Sequence, residues 1–197
     1  MQPAAISSTQ PTSEPGSWLA GLAQKGGTEI TWESRFREFL VEAFSPESRV
    51  HAWNNAALPD VIVEFLTSCP EKPRLETRRF AIFSGAPTYG GGSRGLLWVD
   101  CAHPGERAIF VAMTKYRRDM YCIDIYLSDA SSLPALPVHF LATLHHWLRS
   151  HESGPVICID LHNCRGYLWS FDPAQCGLEQ STIKPRPRFR AALRGAA

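Results

Sequence analysis

A short pattern that occurs twice in the chain carries the side chains best suited to catalysis. The segments YCIDIYL at 121–127 and VICIDLH at 156–162 share the order Cys-Ile-Asp. Because alternate residues of a strand lie on one face, Asp160 and His162 share a face, and Asp124 holds the matching position in the first segment. If the two strands are neighbours, two carboxylates and an imidazole converge, where they can bind a divalent cation or act as a general base with its orienting partner.

Two further hypotheses involve cysteines at the ends of strands. Cys164 lies near His162 and beside Arg165 in a predicted turn, where the cation would favour the thiolate of a nucleophile. Cys101 and His103 together with His162 and Cys164 supply the ligand types of a tetrahedral zinc site, but the usual close spacing of two cysteines is absent. We therefore assign no metal ligands. The alternative to the nucleophile is a turn cysteine of no catalytic use, and the alternative to the Asp/His cluster is a solvated sheet face with ordinary polar residues.

A glycine-rich segment, FAIFSGAPTYGGGSRGLLWVD at 80–100, holds five of the fourteen glycines of the chain. Gly85 and Gly90 have the separation of a Walker phosphate loop, but glycines stand at its lysine and hydroxyl positions, and the next segment alternates like a strand. The pattern therefore predicts a hairpin loop and indicates no cofactor. A second interpretation is a flap over a ligand or partner, formed by Tyr89, Gly90, Gly91, Gly92 and Arg94.

The end of the chain is basic. Lys184, Arg186, Arg188 and Arg190 lie in a segment without any acidic residue after Glu179. Such a tail can bind nucleic acid or an acidic protein surface, or it can simply be solvated. No series of aromatic side chains of the kind that stacks on RNA bases accompanies it.

The composition is that of a water-soluble globular protein. Of the 197 residues, 44% are hydrophobic and 20% are charged, and 20 basic residues balance 19 acidic ones, so the overall charge indicates no polyanionic partner. No apolar run reaches the length of a membrane-spanning helix, which predicts no membrane partner. The six cysteines form no C-x-x-C pair and no secretory signal is present, which predicts a cytoplasmic protein with free thiols.

Hydrophobic periodicity predicts the elements that must position these residues. A period near 3.6 predicts helices at 31–44, 56–68 and 137–150, and a period of two predicts strands at 78–84, 95–101, 107–114, 119–127, 155–162 and 166–171. This order predicts an α+β fold with a mostly antiparallel sheet of about six strands. We expect the two N-terminal helices and the later helix to pack on one face of that sheet.

The chain divides into three parts by composition. Residues 1–17 are rich in Ser, Thr, Pro and Gln and predict a disordered leader. Residues 18–183 predict a single α+β domain, and residues 184–197 form the basic C-terminal tail.

Three classes of function follow from this sequence. The first is a protein-binding module of a cytosolic, bacterial system, such as an inhibitor, an immunity-like protein, a chaperone or an injected effector. Its support is a small domain with a glycine-rich loop and with aromatic residues that could anchor an interface, namely Trp53, Tyr89, Trp98 and Trp169. The alternative is a hydrolase or transferase that uses the Asp/His cluster, with or without a metal. The third is a nucleic-acid binder that uses the basic tail.

Overall fold

The computed structural model describes residues 16–25, 33–50, 53–117, 120–128, 136–151, 155–163 and 168–171. These residues form the helices α1 (Ser17–Lys25), α2 (Ser34–Ala43), α3 (Leu58–Thr67) and α4 (Val138–Ser150). They form the strands β1 (Arg49–Val50), β2 (Ala56–Ala57), β3 (Cys69–Pro70), β4 (Arg74–Glu76), β5 (Phe80–Ala86), β6 (Arg94–Asp100), β7 (Ala108–Arg117), β8 (Met120–Leu127), β9 (Val156–His162) and β10 (Leu168–Phe171). Each of the four helices is too short or too polar to cross a membrane.

The strands form one large, mostly antiparallel sheet, so the predicted α+β class is confirmed. Its order is β10-β9-β8-β7-β6-β5-β3, with β4 also paired to β5, and β1 and β2 pair separately. All six predicted strands are present as β5 to β10, with small displacements at their ends. Helix α1 and the strands β1 to β4 were not predicted, because strands of two or three residues show no periodicity and α1 directly follows the low-complexity leader.

Helices cover both faces of the sheet, so the prediction that all of them pack on one face is wrong. Helices α1, α2 and α3 share a core with Phe83, Leu97 and Phe110. Helix α4 shares a second core with Trp98 and Ile125 on the opposite face. The physical reason is visible in β5 and β6, where nearly every residue is buried, since a strand covered on both faces is apolar without alternation.

The glycine-rich segment forms a hairpin, as predicted. Strands β5 and β6 pair in antiparallel fashion from Phe80 opposite Asp100 to Gly85 opposite Gly95. The loop between them has positive φ angles at Gly91 and Gly92, a conformation that side-chain-bearing residues rarely adopt. Because the segment after the loop is a strand and not a helix, the geometry of a phosphate-binding helix N-terminus is absent here.

Strand β4 joins β5 through a strained turn. The Arg79 N–H donates to the carbonyl oxygen of Glu76 over 3.0 Å, and the two residues between them, Thr77 and Arg78, have φ angles of 50° and 58°. Two positive φ angles are typical of type I′ turns, which favour Asn-Gly and disfavour β-branched residues such as threonine.

We therefore expect the double substitution of Thr77→Asn and Arg78→Gly to stabilise the protein by about 1 kcal/mol, because it relieves left-handed strain. Urea denaturation of both proteins measures the difference. The control is Thr77→Val, which keeps a β-branched side chain of similar size and therefore keeps the strain, so it should bring no gain. A loss of stability in the Asn-Gly variant would contradict the assignment of strain to this turn.

Candidate functional site

The two copies of the Cys-Ile-Asp pattern lie side by side. Strands β8 and β9 pair in parallel, with α4 as the crossover between them, as parallel neighbours require. The register aligns three pairs of side chains on one face, which we call the polar face: Cys122 with Cys158, Asp124 with Asp160, and Tyr126 with His162. The predicted convergence of Asp124, Asp160 and His162 is therefore present in the structure.

An Asp–His pair is the centre of the polar face. The Nε2 atom of His162 lies 2.8 Å from Oδ1 of Asp124, with the two side chains 26% and 18% exposed. Because an ionised carboxylate only accepts hydrogen bonds, this contact places the ring proton on Nε2. The neutral ring then has an unprotonated Nδ1, which is the atom that can accept a proton from a reactant.

Aromatic stacking fixes the orientation of the imidazole. The ring of Tyr126 stacks on His162 with centroids 4.4 Å apart and planes 12° apart, and Phe110 of β7 stacks behind Tyr126 at 6.2 Å. Burial and the neighbouring charges of Asp124 and Asp160 raise the pKa of Tyr126, so its hydroxyl stays protonated. The histidine thus has one edge held by a carboxylate and one face held by a ring.

Each of the two opposed carboxylates has its own hydrogen-bond partner. Asp124 and Asp160 occupy directly paired positions on adjacent strands, about 4.8 Å apart at the backbone. Asp124 binds His162, and Asp160 accepts a hydrogen bond of 2.7 Å from the hydroxyl of Ser170 on β10. Ser170 was not among the predicted site residues, although β10 follows β9 closely and the alternation within the strand could have placed its hydroxyl on this face.

Several predicted site residues lie outside the described part of the chain. These are Cys164 and the basic residues Lys184, Arg186, Arg188 and Arg190, so the nucleophile and nucleic-acid hypotheses stay predictions. The zinc hypothesis fails on geometry for its described members, since β6 and β9 are three strands apart, about 14 Å, which separates Cys101 from His162. Among the described residues, no group of three or more His, Cys, Asp or Glu side chains is arranged to hold a metal ion.

The glycine loop is built differently from the predicted flap. Tyr89 at its tip is 94% exposed. Arg94, however, is not a free contact group, because its guanidinium lies 3.0 Å from the carboxylate of Glu71. Ser84 and His151 bind that same carboxylate, over 2.5 Å and 2.7 Å.

Glu71 therefore joins the base of the loop to the end of α4. Burial raises the pKa of Glu71, but hydrogen bonds from Ser84 and His151 and the charges of His151 and Arg94 outweigh it, so the pKa lies below its ordinary value. Ser84 and His151 both bind the carboxylate and do not bind each other, so the cluster lacks the serine-to-histidine contact of a nucleophilic triad. Its role is to hold elements together.

The aromatic residues proposed as interface anchors differ in exposure. Trp98 is 1% exposed and packs between Phe80 and Phe140 in the α4 core, so its proposed role as an anchor is wrong. Its position in a strand covered on both faces explains this error. Trp53 is partly buried against Phe65. Tyr89 is fully exposed, and the side chain of the fourth candidate, Trp169, lies outside the described part of the structure.

A second ionic contact stabilises the end of β6. The buried carboxylate of Asp100 accepts two hydrogen bonds of 2.7 Å from Arg79 and one of 3.2 Å from the Ala102 N–H, and Arg107 lies 3.5 Å away. Burial raises the pKa of Asp100, but these hydrogen bonds and positive charges outweigh it and hold the pKa below its ordinary value.

We expect Asp100→Asn to lower the free energy of unfolding at neutral pH by about 2 kcal/mol, because Arg79 loses a charged acceptor. A carboxyl group with a depressed folded pKa stabilises above its unfolded pKa of about 3.9 and loses that contribution as the pH falls further. The difference between wild type and variant should therefore be constant above pH ~4 and shrink below it. Urea titrations across this range measure it, and the exposed Glu106→Gln is the matched control. A difference that grows toward acid pH would contradict the ion pair.

No family model matches the chain, and searches of curated proteins and of solved structures gave no match either.

Proposed function

We propose that the protein is an acid–base enzyme, a hydrolase or a transferase, in which His162 accepts a proton and Asp124 orients it. The observation that supports this proposal is the 2.8 Å contact between Asp124 and a histidine ring that is stacked on Tyr126 and still partly exposed. A positioned general base of this kind contributes about 10²–10⁴ to a rate.

The reaction that fits this pair is activation of a hydroxyl group. His162 Nδ1 would take the proton of a water molecule or of an acceptor alcohol as its oxygen attacks the substrate. The carboxylate of Asp124 stabilises the positive imidazolium that results, since it lies within hydrogen-bond distance of the other ring nitrogen. Asp160 and Ser170, the next polar pair on the same face, would contact the substrate or the acceptor.

The packing on this face supports an accessible reaction site. Helices α1 and α3 make their main contacts with the large sheet at β3, β4, β5 and β6, whereas the Asp–His pair lies on β8 and β9. The opposite faces of these two strands are occupied by α4, which packs on Ile123, Ile125 and Ile159. The strands that carry the catalytic side chains are therefore supported by α4 on their opposite faces, and the side chains of Asp124 and His162 keep 18% and 26% of their surface exposed.

The direct test is a comparison of wild type with His162→Gln on chromogenic substrates of two classes, a carboxylic ester and a phosphoester. We expect the rate of wild type to exceed that of the variant on one class, because glutamine cannot take up the proton. Equal rates for the two proteins on both classes, with intact circular dichroism spectra, would contradict the proposal.

A second candidate function, protein binding, is favoured by one observation. Tyr89 is 94% exposed at the tip of a glycine-rich loop, and exposed aromatic rings are frequent anchors of interfaces. The partner would be another protein. Substitution of Tyr89→Ala should weaken the binding of that partner protein by at least tenfold. Val138→Ala, at an exposed position on α4, is the control and should leave the binding unchanged.

A further inference from the structure

Two thiols face each other at the first pair of the polar face. Cys122 of β8 and Cys158 of β9 are directly paired in the parallel register, and the two thiols are close enough for each to shift the pKa of the other. Both are free and partly exposed, whereas Cys101 is buried away from solvent and Cys69 is exposed on β3. This pair is separate from the Asp–His contact and is not used by the proposed reaction.

The backbone geometry suits a bond between these two sulfur atoms. Directly paired residues on adjacent strands have Cα atoms about 4.8 Å apart, within the range of about 4.4–6.8 Å that disulfides span. Both side chains leave the sheet on the same face, so neither strand has to rotate or slide. We propose that Cys122 and Cys158 form a thiol–disulfide redox site that is oxidised by small-molecule disulfides.

The chemistry proceeds by two exchange steps. The thiolate of Cys122 attacks one sulfur of the small disulfide, which forms a mixed disulfide and releases one small thiolate. Cys158 then loses its proton to solvent and attacks the Cys122 sulfur, which forms the Cys122–Cys158 bond and releases the second small thiolate. Two protein thiols are oxidised, one small disulfide is reduced to two thiols, and the released thiolates take up the two protons.

The surroundings shift the pKa values of the two thiols in opposite directions. The interaction with Cys158 lowers the pKa of Cys122 and outweighs burial and the charges of Asp124 and Asp160. The interaction with Cys122, together with burial and these charges, raises the pKa of Cys158, so one thiol of the pair ionises before the other, as the two exchange steps require.

The test uses the full chain equilibrated with mixtures of reduced and oxidised glutathione, followed by acid quenching, alkylation of free thiols and peptide mapping by mass spectrometry. We expect a cross-linked pair of peptides containing Cys122 and Cys158, with a fraction that rises with the proportion of oxidised glutathione. We expect Cys69 to carry glutathione instead, because it has no partner thiol on a paired strand.

Two variants test the two exchange steps. In Cys158→Ser the mixed disulfide on Cys122 cannot be resolved, so glutathione should accumulate there at least tenfold over wild type. In Cys122→Ser the mixed disulfide on Cys158 should accumulate for the same reason. The proposal is overturned if both thiols remain alkylatable in wild type when Cys69 is fully glutathionylated, or if either bonds to another cysteine. The wild-type peptide map decides this even if a variant does not fold.

Discussion

On the substrate class that the wild type converts, His162→Gln should lower kcat by about 10²–10⁴, because the reaction loses its proton acceptor. Glutamine keeps most of the volume and polarity of the site but cannot take up a proton. The matched control is His146→Gln, which replaces an exposed histidine of α4 on the other side of the sheet and should leave kcat unchanged.

Asp124→Asn should also lower kcat, by about tenfold or more, but for a different reason. The amide nitrogen of asparagine can donate to Nε2, which then has to be the unprotonated ring nitrogen, so the proton moves to Nδ1 and the reactive atom is blocked. Because the two residues act as one unit, the double variant should be little slower than His162→Gln alone. Fully additive losses would mean that Asp124 acts independently of His162 and would contradict the paired mechanism. Steady-state kinetics of the four proteins measures this.

The second large effect concerns the contact between α3 and the sheet. Gly85 and Gly95 are opposite each other on β5 and β6, directly below Phe65 of α3. A Cβ on Gly95 would lie 2.7 Å from the Phe65 ring, and one on Gly85 would meet the Phe65 carbonyl oxygen. We expect Gly95→Ala to cost about 1–3 kcal/mol of unfolding free energy, and Gly85→Ala to cost more, since the backbone of a helix yields less than a ring.

A double substitution separates the two causes. Phe65→Leu removes the ring that a Cβ at Gly95 meets, so part of the cost of Gly95→Ala should be recovered in that background. The cost of Gly85→Ala should persist there, because the carbonyl oxygen of residue 65 remains. Gly105→Ala, at a position with no neighbour within 4 Å, is the control and should change the stability by less than about 0.5 kcal/mol. Chemical denaturation measures each step, and equal losses at Gly85, Gly95 and Gly105 would contradict the close approach of α3.

The role of each glycine in this segment cannot be predicted from the sequence alone. The glycine-rich segment predicts a loop between strands at 78–84 and 95–101, and for Gly91 and Gly92, with their positive φ angles, the loop is confirmed. Gly85 and Gly95 lie inside strands, where the absence of a side chain lets a helix approach. A glycine needed for its backbone angles and a glycine needed for space have the same letter, and only the position of Phe65 distinguishes them.

For the polar face, too, the sequence predicts only part of the arrangement. The alternation of residues determined that Asp160 and His162 share a face and that Asp124 has the equivalent position, because a strand alternates its side chains whatever surrounds it. The pairing of β8 with β9 was only a condition of that hypothesis. Which strand neighbours which is decided by the route of the chain through α4, and this route depends on contacts between residues that are far apart in sequence.

By itself the sequence determined the local features of this protein: six of its strands, the approximate positions of three helices, the hairpin at the glycine-rich segment and the α+β class. These depend on periodicity and turn chemistry within a few residues. Only the tertiary structure decided that helices cover both faces, that Trp98 is buried, that Arg94 is bound by Glu71, and that Ser170 and Tyr126 complete the surroundings of the Asp–His pair. Those facts are set by which distant surfaces meet, and that information is spread over the whole chain.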